Sequence, residues 1–63
     1  MVERVEVYKD SANEYRWRRV VEDVKREIVA ESGEGYVRKI DAVRQAKRLN
    51  EGVDIFDLEA GGE

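Results

Sequence analysis

The feature that most constrains this chain is what it lacks: 63 residues contain no cysteine and no histidine. A domain this small buries only roughly 60% of its unfolded surface. Single cores below about 70–80 residues seldom supply more than ~3–5 kcal/mol, so small domains commonly add a staple. A disulfide framework and a thiolate zinc site are excluded here, and the commonest zinc ligand and general base is missing too. The carboxylates show no EF-hand spacing. The remaining staple is a partner subunit, and a homodimer is the expectation. Cofactors and metals are expected to be absent, and so is catalysis. The candidate nucleophiles are Ser11, Ser32 and the tyrosines, and none has a histidine to activate it. Paired acids such as Glu31 with Glu34, or Glu22 with Asp23, read as solvated loop charges.

Charge is distributed unevenly. The chain has 12 basic and 15 acidic residues, a net charge of −3. Residues 51–63 hold Glu51, Asp54, Asp57, Glu59 and Glu63 and no base, which leaves 12 basic against 10 acidic residues for 1–50. An acidic tail thus follows a mildly basic body. No apolar run nears the roughly 18 residues of a membrane span, and Glu3, Arg4, Glu6, Lys9 and Asp10 rule out a signal-peptide core in the first ten. A cytoplasmic domain with no membrane partner is expected.

Hydropathy gives the order of elements. Val5 and Val7 alternate with Glu6 and Tyr8, the period of a strand with one buried face. Asp10-Ser11-Ala12-Asn13 is a run of turn formers. A second strand runs from Glu14 to about Val21, with Tyr15 and Trp17 on one face and Arg16, Arg18 and Val20 on the other. Arg19 falls on the Tyr15/Trp17 face, so it lies at the rim or a bulge shifts the parity. Glu22-Asp23-Val24-Lys25 lacks the Asn-Gly or Asp-Gly pair of a tight hairpin, which predicts a longer, mobile connection. Glu27 to Glu31 reads as a third strand, and Ser32-Gly33-Glu34-Gly35 ends it with two glycines that permit positive φ. A helix follows from about Arg38 to Asn50, with Ile40, Val43, Ala46, Leu49 and Ala42 as its apolar stripe. Its start lacks a capping side chain. Gly52 is placed for a left-handed cap, with Val53 packing back on Leu49. Val53 to Leu58 has the pattern of a short edge strand.

Three blocks occur in order: Tyr8-Lys9-Asp10, then Glu14-Tyr15-Arg16-Trp17-Arg18, then Ser32-Gly33-Glu34-Gly35-Tyr36 before the helix. This arrangement resembles the YegP-like family of small bacterial and haloarchaeal domains of unknown function, over about Val5 to Asn50. The resemblance implies a β-β-β-α unit with the helix on an antiparallel sheet. It also implies homodimers or tandem pairs, and no known activity. The chain departs from the family pattern in a longer loop between strands two and three, in Arg19 where leucine is usual, and in Val37-Arg38 where a serine pair opens the helix.

The fold class is therefore α+β: three antiparallel strands, one helix and a fourth edge strand, forming one domain over 1–58 with a disordered acidic tail over 59–63. The expected core is Val5, Val7, Tyr15, Trp17, Ile28, Ala30, Ile40, Val43, Ala46 and Leu49. The candidate interaction surface is Tyr8, Arg16, Arg18, Arg19, Val20 and Val29, on the sheet face that one helix cannot cover. Two uses of it are open. It can bury against a second copy or a protein partner as an interaction or accessory module. Alternatively, the arginines around Trp17, with Lys25 and Arg26 nearby, can clamp phosphates as a weak nucleic-acid site. The overall acidity favours the first. Gly33, Glu34, Gly35 and Tyr36 form a structural turn and not a phosphate loop, because no Gly-Lys-Ser/Thr follows. Tyr36 is expected to plug the end of the core.

Overall fold

A computed structural model describes residues 2–58. The acidic tail over 59–63 lies outside the described residues. The chain folds as β1 (Val2–Lys9), β2 (Tyr15–Glu22), β3 (Arg26–Glu31), α1 (Lys39–Leu49) and β4 (Asp54–Asp57), an α+β fold. The sheet order is β3-β2-β1-β4. β1–β2 and β2–β3 pair antiparallel, whereas β4 joins β1 in parallel. The three antiparallel strands, the helix and the fourth edge strand stand as expected, and the sheet is mixed only because that fourth strand runs parallel to β1. The reason is topological: the helix is a crossover that carries the chain back across the sheet before β4 begins.

The first turn forms as its residues dictate. The Asp10 carboxylate accepts from the N–H groups of Ala12 and Glu14, at 2.9 and 3.0 Å, and Asn13 takes φ 65°. The second connection is shorter than expected. β2 continues to Glu22 opposite Arg26, and only Asp23, Val24 and Lys25 span the gap, closed by Asp23 N–H donating to the Lys25 carbonyl at 3.2 Å. The ladder runs on through polar residues because strand pairing needs only backbone groups, and Val24 stands out at the tip.

The core lies between α1 and one sheet face, and its buried cluster is Val5, Val7, Trp17, Ala42 and Ala46. Tyr15, Ala30, Tyr36, Val43, Val53 and Ile55 pack against it, partly buried. Three expected core residues lie elsewhere. Ile40 and Leu49 are 48% and 62% exposed. The buried face of α1 is centred on Ala42 and Ala46, one turn apart, and these small side chains let the helix come close to the valines of β1. Ile40 then points away from the sheet, and Leu49 ends the helix beyond the covered area. Ile28 is displaced by a bulge. Arg19 pairs with Ala30 but Val20 pairs with Ile28, so Val29 is the extra residue of β3 and the parity flips there. Ala30 keeps to the helix side while Ile28 moves to the other face.

The turn after β3 is stitched along β2. Ser32 N–H donates to the Trp17 carbonyl at 2.9 Å, and Tyr15 and Tyr36 exchange backbone hydrogen bonds of 2.7 and 2.8 Å. Neither Gly33 nor Gly35 uses the positive φ that glycine permits. Gly35 is needed for space, since a Cβ there would stand 2.7 Å from Cβ of Glu14. The helix begins at extended Arg38 with no side-chain cap. It ends where Asn50 donates both its N–H and its side-chain amide to the Ala46 carbonyl, each at 2.9 Å, and Gly52 takes φ 84°. Lys39 Nζ, 3.0 Å from Asp57, ties the helix start to β4.

Candidate interaction surface

The sheet face away from α1 follows from the register. Arg4, Glu6 and Tyr8 of β1 stand opposite Val20, Arg18 and Arg16 of β2, and Phe56 of β4 stands opposite Glu6. Ile28 and Arg26 of β3 face Val20 and Glu22. Four of the sequence candidates, Tyr8, Arg16, Arg18 and Val20, share this face. Val29 stands exposed in the bulge at the β3 edge. Arg19 lies on the opposite side, facing Val5, where its Nε donates to Glu3 at 2.8 Å. It is the rim residue of the two alternatives, and the bulge is on β3.

Glu6 is the centre of the face. It is 4% exposed, and three guanidinium groups converge on it. Arg4 Nε lies 3.0 Å from Oε2, and Arg18 Nε and Arg26 Nη2 lie 2.8 and 2.5 Å from Oε1. Burial alone would raise the Glu6 pKa, but the hydrogen bonds from Arg18 and Arg4, with the charge of Arg26, outweigh it and hold the carboxyl below its ordinary value. Arg4 also reaches Glu22 at 3.1 Å, and the Arg18 guanidinium lies 4.4 Å from the centroid of the Tyr8 ring. Arg16 is paired with Asp10 at 2.5 Å. The Asp10 carboxyl is lowered, first by the Glu14 N–H and then by Arg16.

Around this charged centre stand apolar groups. Val20 is fully buried, yet apart from the core cluster, between Arg4 and Ile28 in the register. Arginine stems readily cover such a residue while their heads stay hydrated. Val2, Ile28 and Phe56 are about half exposed. Sequence reasoning missed Arg4, Ile28 and Phe56 as members of this face. Strict alternation from Val5 and Val7 would have placed Arg4 there. Nothing in the local sequence announces the bulge that delivers Ile28, or the parallel pairing that delivers Phe56. The arginines are matched by Glu6, Glu22 and Asp10, so the face carries mixed charge and not the single-sign field of a phosphate-binding surface. No family model, curated protein or solved structure matches this chain. Among the described residues, no helix is long and apolar enough to cross a membrane.

Proposed function

We propose that the chain is a homodimeric protein-interaction or accessory module, of the YegP-like kind that its sequence resembles, working in the cytoplasm without a catalytic step. The observation that carries the reading is the uncovered sheet face, where half-exposed Val2, Ile28 and Phe56 surround an ion-paired centre. A two-fold contact sets one patch against itself. A face of one charge would repel its copy, whereas this one mixes arginines and carboxylates and is self-compatible. The sheet edges are poorer candidates. β3 is broken by its bulge, and β4 is only four residues long. Sedimentation equilibrium over a hundredfold range of concentration tests the reading, with Phe56→Glu as the probe. The wild type is expected to sediment as a dimer and Phe56→Glu as a folded monomer. A wild type that stays monomeric at roughly 100 μM overturns it. Binding of single-stranded nucleic acid that weakens steeply with salt, and is lost when Arg16, Arg18 and Arg19 become glutamine, would favour the phosphate-clamp alternative instead.

A further inference from the structure

Every arginine of the sheet is ion-paired with an acid, and Arg38 before the helix is paired with Asp41. Among the described residues, the arginines that make no ion pair are Arg44 and Arg48, both exposed on α1. The helix turns Ala42 and Ala46 to the sheet. Its 3.6-residue period then sets Ile40, Arg44 and Arg48 in one column on the opposite side, with exposed Lys47 beside them. Ile40 is 48% exposed, and Val37, just before the helix, is 82% exposed. Asp41, one turn before Arg44, is engaged by Arg38 at 3.3 Å and leaves the column its charge. The helix dipole accounts for Lys47 and Arg48 in the last turn. It does not account for Arg44 at mid-helix, and like charges three and four residues apart oppose helix formation.

We propose that this outer face of α1 docks an acidic, extended peptide segment of a partner protein. The segment sets an apolar side chain against Ile40 and Val37 and carboxylates against Arg44 and Arg48. The match is one of charge and of spacing. Successive members of the column are about 6 Å apart along the helix axis. Alternate side chains of an extended chain repeat at about 6.6 Å, so an apolar residue and two acids at every second position fall into step with it. Guanidinium and carboxylate make charge-assisted, bidentate contacts. An anionic membrane fits less well, because its field acts on the whole chain, whose net charge is −3, whereas a short segment meets the patch alone. Single-stranded nucleic acid stacks on aromatic rings, and α1 has none. The face points away from the sheet, so it stays open whether or not a second copy covers the other side. A chain that fails to dimerise can still bind the peptide.

The intact, isotope-labelled protein is titrated at low salt with the amidated peptide acetyl-Leu-Ser-Glu-Ser-Glu, and amide shifts map the contact. Two control peptides carry glutamine for both glutamates, or serine for leucine. Saturable shifts along α1, with a midpoint below about 10 mM, are expected for the acidic peptide. Binding weakens several-fold in about 0.5 M salt and without the leucine, and is lost with the glutamine peptide. Arg44 and Arg48 are exposed, so the double variant Arg44→Gln, Arg48→Gln keeps the fold by circular dichroism and binds about tenfold more weakly. Vesicles with about 30% phosphatidylserine and a decathymidylate are run beside the peptides. The proposal is overturned if the acidic peptide gives no saturable shift on α1, if either control peptide binds as well, or if the double variant binds like the wild type. Binding of vesicles or decathymidylate through Arg44 and Arg48, with none of the peptide, also overturns it and assigns the face to a membrane or to nucleic acid.

Discussion

Removing the Glu6 carboxylate would leave Arg18 and Arg26 without the anion on which they converge, and Arg4 with Glu22 alone. Breaking a fully buried pair costs about 3–5 kcal/mol. The guanidiniums here reach solvent, so Glu6→Gln is expected to cost less, about 2 kcal/mol, read from denaturant midpoints. A variant as stable as the wild type would mean that the three ion pairs contribute nothing net. The pH dependence has a fixed sign. The folded pKa of Glu6 is depressed, so its contribution is present above the unfolded value near ~4.3 and is lost as pH falls through the folded value. Asp10 is depressed as well and acts in the same direction. Melting temperature should therefore fall as pH drops through the acid range, and Glu6→Gln should flatten that fall. An equally steep acid loss in the variant would assign the dependence to other carboxylates.

At the scale of elements, the two glycines of the turn after β3 separate by environment. Gly35→Ala drives a methyl into Glu14 where the turn is stitched to Tyr15, and is expected to cost about 1–3 kcal/mol. Gly33→Ala meets open space and should be near neutral. Equal effects in urea unfolding would contradict this account. The helix start offers the opposite sign. Arg38 has extended geometry at the N-cap, but its side chain makes no cap bond and instead forms an exposed pair with Asp41 at 3.3 Å. Arg38→Ser trades that weak pair for a cap and should stabilise by about 1 kcal/mol. No gain in midpoint would show that the helix start is not limiting. These elements also show what a sequence can reveal. Val5, Val7 and Trp17 were legible as core because strict alternation held around them. Ile28 was not, because one extra residue at Val29 reversed its parity. Ala46 was legible as core, but Ile40 falls outside it because spacing alone did not say that the stripe would be centred on Ala42 and Ala46. The arginine-bearing face was legible in β2, but which acid anchors it is settled only once β1 and β2 are in register, with Glu6 opposite Arg18.

For the whole molecule, the balance of burial argues for a second copy. The core cluster contains three large apolar or aromatic side chains, Val5, Val7 and Trp17, with two alanines. Full burial of a valine-sized side chain contributes about 1.5–3 kcal/mol, against roughly 1–2 kcal/mol of backbone entropy lost at every ordered residue. A monomer with so few buried groups, and with no cysteine to form a disulfide, sits close to the limit of stability. Half-exposed Val2, Ile28 and Phe56 on one face are apolar surface still open to burial. If a copy covers them, folding and association are linked, and mass action then sets the melting temperature. The wild type is expected to melt higher as its concentration rises, and Phe56→Glu to melt lower with no such dependence. Salt separates this contact from a phosphate-binding one. Apolar burial persists as ionic strength rises, whereas exposed ion pairs are screened within about 10 Å at 0.1 M. Thermal melts at several protein concentrations, repeated from low to high salt, make the comparison. A melting temperature that ignores protein concentration, in a wild type of monomeric mass, would leave the single chain stable by itself and remove the argument for its copy.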